Sequence, residues 1–182
     1  MDMTAHSGFT LTELVTVVAI VGILLAIGAP SYRYVTTSNR MSAEVNGLLG
    51  DLEFARAEAV KEGQTVTACT SSDGATCLIG NNTAWDSGWI VFSDPNGNAV
   101  VDPGEAVLRT QRPFSANDTF RADHDLNAVT FNREGFAVEL PNAGVRITLR
   151  DATNNPSYAR CLSIGLVGNV QIQTHATAAN CP

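Results

Sequence analysis

One carboxylate, four cysteines and one run of alternating acids and amides are the groups here with chemistry to offer. Glu13 is the one charge among the 21 residues from Phe9 to Ala29, inside the run GFTLTELVTVVAIVGILLAIGAP, Gly8–Pro30. A charged carboxylate at the centre of a membrane span costs about 2.5–3.5 kcal/mol, and less near an end. Such a group calls for a cationic partner, and the neighbouring sequence supplies none. Cys69, Cys77, Cys161 and Cys181 are even in number, which permits two disulfides in a domain outside the cytoplasm. The simplest pairing is sequential, Cys69–Cys77 and Cys161–Cys181, although four cysteines allow three pairings. Closing the second loop is worth roughly 3 kcal/mol in the chain-entropy model and pins a terminus. Zinc is the rival chemistry, but no C-x₂₋₄-C spacing occurs and the histidines, His6, His124 and His175, are scattered.

The acidic run is DPNGNAVVDPGE. Asp94, Asn96, Asn98, Asp102 and Glu105 take its first, third, fifth, ninth and twelfth places, the ligand spacing of a calcium loop. It departs at the sixth place, where such a loop turns on Gly and this chain has Ala99. The competing expectation is a metal-free turn, since Asp, Asn, Gly and Pro also build long β-turns through Asx-turns. No other cofactor is expected. There is no G-x-S-x-G, H-E-x-x-H or phosphate loop, so no enzyme is expected. A net charge of −7 opposes bulk attraction to nucleic acid or anionic lipid.

These groups must be positioned by a membrane helix and a β domain. At about 1.5 Å per residue, Phe9–Ala29 as a helix spans roughly 30 Å, a bilayer core. A secretory signal would have a basic start and a shorter apolar run. Pro30 is expected to bend or interrupt the helix, which then resumes: Met41, Val45, Leu48, Leu52, Ala55 and Ala59 recur at spacings of four and three, one apolar stripe. Gly63 is the expected stop. Strand-like alternation follows in QTVTACT, GWIVF, AVLRTQ, AVTFN, GFAVEL, VRITLRD, RCLSIGL and NVQIQT. Turns are expected at Arg133–Glu134 and Gly168–Asn169. The fold class is therefore α+β: a long N-terminal helix packed on an antiparallel β-sheet domain.

A Gly followed by FTLTELV resembles the type III signal of type IV pilins and type II secretion pseudopilins. The order of later motifs, GWIVFSD, EAVLR, FNREG and RCLSIGLVGNV, resembles the GspH/FimT branch of that family. The resemblance implies four segments: a leader, 1–8, removed by a prepilin peptidase; a transmembrane helix, 9–29; a continuing amphipathic helix, 30–62; and a periplasmic β domain, 63–182. It implies cleavage after Gly8 and N-methylation of Phe9. It also supplies the missing partner of Glu13, the freed amine of Phe9 on a neighbouring subunit. Such a buried ion pair specifies register.

The function implied is that of a minor pilin, a single-pass inner-membrane subunit that primes or enters a filament. The partners implied are other minor and major pilins or pseudopilins, the peptidase and an inner-membrane assembly platform. The alternatives are a GspH-type pseudopilin of type II secretion and a FimT-like subunit that binds DNA in natural transformation. The last uses a Gly-Arg-x-Arg stretch, and the matching place, Gly168–Gln171, has Asn169 and Gln171 instead of the arginines. Arg146, Arg150 and Arg160 on adjacent strands are the remaining candidates for phosphate contact, against the simpler expectation of solvated strand faces; nucleic acid is therefore not an expected partner. The leader carries neither Lys nor Arg. The positive-inside rule alone thus leaves the orientation ambiguous or reversed, and the cysteines place the C-terminal domain outside the cytoplasm.

Overall fold

A computed structural model describes residues 9–78, 80, 83–141, 144–175 and 181. The chain divides into two compact units, Met1–Ser38 and Asn39–Pro182. Helix α1 runs Leu11–Glu62. Its assignment passes through Pro30 without a break, where the sequence suggested a bend or an interruption. A proline removes one N–H and crowds the carbonyl four residues earlier, which by itself does not end a long helix.

In the first unit the described apolar side chains from Phe9 to Ile27 are exposed, Phe9 at 83 % and Ile27 at 69 %. This stretch is long and apolar enough to cross a membrane.

The second unit is built on the other half of the helix. Met41, Val45, Leu48, Leu52, Ala55 and Ala59 are buried, as their spacing requires. Among the described residues nine strands follow: β1 Val66–Thr70, β2 Trp89–Ser93, β3 Val107–Gln111, β4 Thr119–Ala122, β5 Ala128–Phe131, β6 Ala137–Val138, β7 Gly144–Arg150, β8 Arg160–Gly165 and β9 Val170–Thr174. They form two antiparallel sheets, ordered β3-β2-β1-β5-β6 and β4-β7-β8-β9. The expected alternating segments are present, and β4 is an additional strand that its short sequence TFRA did not signal. Strand β6 is only two residues long because Glu139 takes a left-handed φ of 60°.

One core joins the helix stripe to both sheets. Val66, Ala68, Trp89, Val91, Val129 and Phe131 enter it from the five-stranded sheet, and Phe120, Ile147, Leu149, Leu162 and Ile164 from the four-stranded sheet. Side chains alternate along a strand, so the other face of the five-stranded sheet presents Cys69, Ile90 and Phe92. These form a second buried cluster with Cys77, Val101 and Ala128. Every residue of β1 is therefore buried, and the cover on its outer side comes from loops.

Candidate functional site

The head of α1 is organised by its own first turn. Thr10 Oγ1 accepts the backbone N–H of Glu13 at 3.3 Å, and Thr10 carbonyl oxygen accepts that of Leu14 at 3.1 Å. Thr10 thus satisfies an N–H that a helix start leaves without an intrahelical partner. The spacing Thr-x-x-Glu is the sequence signal of a capping box. Glu13 lies in the first turn, where the positive end of the helix dipole favours an anion. The local structure therefore holds a carboxylate one turn from Phe9, at the head of an uncovered apolar helix. Gly8 and the segment 1–8 lie outside the described residues.

The disulfides join Cys69 to Cys77 and Cys161 to Cys181. The first ties the loop after β1 over the outer cluster of the five-stranded sheet. Inside that loop the Asp73 carboxylate accepts the N–H groups of Ala75 and Thr76 and the Thr76 hydroxyl. The second disulfide brings Cys181 against β8, where Ala159, Cys161 and Cys181 are buried together.

The acidic run folds back over the same outer face. Asp94 is fully buried. Its Oδ2 accepts Thr67 Oγ1 at 2.7 Å and Ala99 N at 3.0 Å, and its Oδ1 accepts Asn98 N at 3.1 Å. Asp102 Oδ2 accepts the side-chain amides of Asn96 and Asn98, each at 2.9 Å, which hold its carboxyl below the usual range. Glu105 Oε2 accepts Asp102 N at 2.9 Å. Ala99 has φ 55°, so the sixth place takes the left-handed turn although it lacks Gly. Donors of the loop and Thr67 of β1 thus occupy both oxygens of Asp94, and the loop occupies one oxygen each of Asp102 and Glu105. Among the described residues no group of three His, Cys, Asp or Glu is placed to hold a metal ion.

The three arginines do not share one face. The register sets Arg160 opposite Leu149 and in line with Leu162 and Ile164, on the core side of the four-stranded sheet. It donates from Nη1 to the carbonyls of Ser157 and Ala159. Arg146 and Arg150 alternate with Val145, Ile147 and Leu149, and so lie on the opposite face. The three candidate arginines are therefore not brought together. Asn169 and Gln171 sit in and after the β8–β9 turn, where Asn169 carbonyl oxygen accepts Gly165 N at 3.0 Å.

A polar cluster that sequence spacing could not reveal ties the helix to the sheets. Arg40 donates to Asp118 from Nε at 2.7 Å and from Nη2 at 3.0 Å, across 78 residues of chain. Glu44, one turn on, has Oε1 4.0 Å from the same Arg40 Nε, while its buried Oε2 has no hydrogen-bond partner among the described residues. Burial, with the charge of Asp118 adding to it, pushes the Glu44 carboxyl up to about 7. Lower on the helix, Asp51 accepts Trp89 Nε1 and Arg109 Nη1, each at 2.8 Å, and the Arg109 guanidinium lies 3.8 Å from the centre of the Phe54 ring.

The arrangement is a helix with a polar head and a bare apolar flank, joined to a domain braced by disulfides and ion pairs. Known proteins match it in parts. A family described as type II transport protein GspH matches residues 44–168, and a prokaryotic N-terminal methylation motif matches residues 3–29. The type IV major fimbrial protein FimA of Dichelobacter nodosus is 36 % identical over 121 residues, covering 62 % of this chain and 71 % of that protein. A fimbrial protein of Pseudomonas aeruginosa is 40 % identical over 72 residues, or 39 % of this chain and 46 % of that protein. The type IV minor pilin FimU of Pseudomonas aeruginosa shares the fold with TM-score 0.60 at 20 % identity, over 79 % of this chain and 95 % of that one. The minor pseudopilin EpsH from the type 2 secretion system of Vibrio cholerae shares it with TM-score 0.50 at 8 % identity, over 74 % and 96 %. At these identities the two structures speak to fold alone. The GspH match covers the greater part of the chain, from the second half of α1 to the β8–β9 turn, and with a methylation motif ahead of it the chain belongs to the type IV pilin-like GspH/FimT family.

Proposed function

We propose that this chain is a minor pilin of a type IV pilus, a membrane-anchored subunit that works by assembly rather than catalysis. The observation that carries the reading is Glu13 in the first turn of α1, whose apolar side chains from Leu11 to Ile27 are exposed. Cleavage after Gly8 by a prepilin peptidase frees the Phe9 amine, which stays cationic after N-methylation. Glu13 of one subunit then pairs with Phe9 of the next. An unpaired carboxylate in that setting is penalised, so the pair favours one helix register in the filament. The apolar flank packs against the helices of other pilins on the assembly platform. The domain beyond it lies in the periplasm, where its disulfides form and persist.

A pseudopilin of type II secretion is the second reading, favoured by the description of the matched family. Deletion and complementation separate the two. Loss of surface pili, with the tagged chain recovered in sheared filaments, supports the pilus. Loss of protein export with normal piliation supports secretion. In either setting Glu13→Ala should insert in the membrane and be cleaved, yet fail to assemble; normal incorporation would sink the ion-pair account.

A further inference from the structure

The four-stranded sheet turns Phe120, Ile147, Leu149 and Leu162 into the core. By alternation and register its other face carries Arg121 from β4, Arg146, Thr148 and Arg150 from β7, Ser163 from β8 and Gln171 from β9, with the buried Cys161, opposite Thr148, joined there to Cys181. No acid occupies an outward strand position there, in a chain with 18 acids and 11 Lys or Arg. Arg121 pairs with Thr148 across the ladder, so Arg146 and Arg150 are its diagonal neighbours, about 7–8 Å away at the backbone. Arg121 is neutralised by Asp86. Arg146 and Arg150 have no carboxylate partner among the described residues, and Arg146 Nε is buried without a hydrogen-bond acceptor. Asp123, just past β4, uses Oδ1 to accept the backbone N–H of Arg146, not its guanidinium, and its Oδ2 lies 3.9 Å from His124 Nε2. A guanidinium is always charged and shaped for a carboxylate fork, and a buried donor left unmet is costly.

We propose that this arginine-bearing face docks a carboxylate-bearing surface of a neighbouring filament subunit, with Arg146 and Arg150 taking its Asp or Glu side chains. The inference rests on the filament reading above. Charge complementarity favours a protein carboxylate over nucleic acid. Two unpaired arginines neutralise about two phosphates, against the six to ten contacts of proteins with strongly salt-dependent DNA binding, and the rest of the chain is acidic. Two carboxylates on a folded partner match two guanidiniums one for one.

The test uses the full chain in cells that assemble the filament. Arg146→Lys and Arg150→Lys keep the charge and introduce an amine, which a zero-length carbodiimide joins to any carboxylate in contact. The expected product is an amide to Asp or Glu of another filament subunit, a second copy included, located by mass spectrometry. The double variant Arg146→Gln, Arg150→Gln should fall at least fivefold in sheared filaments, with its membrane level and both disulfides unchanged. Coupling confined to this chain, no coupling at either position, normal incorporation of the double variant, or salt-sensitive DNA binding that the double variant loses would each overturn the proposal. If the unsubstituted chain is absent from filaments while the couplings persist in the membrane, the filament reading fails and the docking face stands.

Discussion

Arg40 and Asp118 meet through two hydrogen bonds, Nε to Oδ2 at 2.7 Å and Nη2 to Oδ1 at 3.0 Å, with the Asp118 side chain fully buried. Removing the arginine would leave a buried carboxylate unpaired, which costs about 3–5 kcal/mol. Arg40→Ala is therefore expected to destabilise the domain by about 3 kcal/mol, and Arg40→Ala with Asp118→Leu by less. Denaturant unfolding of the full chain in detergent measures both.

Glu44 gives that cluster a pH dependence. Its carboxyl is pushed from an ordinary 4.5 up to about 7, first by burial and then by Asp118, with Arg40 opposing. The folded chain thus holds this proton more tightly than the unfolded chain. The contribution of Glu44 is complete below the unfolded value and is lost as pH rises through about 7. Glu44→Gln mimics the neutral form. It should match the parent near pH 5 and exceed its stability near pH 8 by on the order of 2 kcal/mol, read from thermal melts at the two pH values.

Two glycines should respond in opposite directions to alanine. Gly168 has φ +75°, and a Cβ there would lie 2.1 Å from the carbonyl oxygen of Gly135. Gly168→Ala should cost at least about 2 kcal/mol, through strain and through the clash between two turns. Gly50 lies in α1 with nothing within 4 Å of a built Cβ. Gly50→Ala should stabilise by about 0.5–1 kcal/mol, because the unfolded chain loses freedom and the helix gains a better former. Paired denaturation curves decide the sign of each.

The two disulfides close loops of 8 and 20 residues. In the chain-entropy model the paired Cys→Ser changes should cost about 2.5 kcal/mol for Cys69–Cys77 and about 3 kcal/mol for Cys161–Cys181. Loss of the first should also loosen the outer cluster of Cys69, Ile90 and Phe92, visible as faster amide exchange in β1 and β2.

Asp94→Ala would strand the Ala99 N–H, and would leave the Thr67 hydroxyl with Thr130 Oγ1 and the Asn98 N–H with Asn96 Oδ1. A cost of about 2–4 kcal/mol is expected. Because those donors already engage the carboxylate, added calcium should leave the melting temperature of the parent unchanged. A rise at millimolar calcium that Asp94→Ala abolishes would show that the ion displaces them.

What could be read from sequence was what repeats locally. The stripe from Met41 to Ala59 announced its buried face because helical spacing is a property of neighbours. The alternation in VRITLRD likewise assigned Val145, Ile147 and Leu149 to the core. Strand β4 escaped notice because TFRA offers one apolar residue with a strand's neighbours, Phe120, and its pairing with β7 lies beyond any local window. The division into two sheets is a long-range fact of the same kind. Adjacent strands carry Arg146, Arg150 and Arg160, but β7 and β8 run antiparallel and the register, which no local window shows, puts Arg160 on the core side. The Arg40–Asp118 pair, 78 residues apart, left no local trace. At the head of α1 the spacing of Phe9, Thr10 and Glu13 is itself local, so the sequence carries both the lone carboxylate and the Thr10 cap.

Arg56 reaches two turns at once, donating from Nε to the Gly135 carbonyl at 2.9 Å and from Nη2 to the Val167 carbonyl at 3.2 Å. The first turn belongs to the β5–β6 hairpin of the five-stranded sheet and the second to the β8–β9 hairpin of the four-stranded sheet. A tensile load entering the domain along α1 is therefore divided between the sheets at one side chain. Neither sheet can be drawn away from the end of the helix without straining the bond that holds the other.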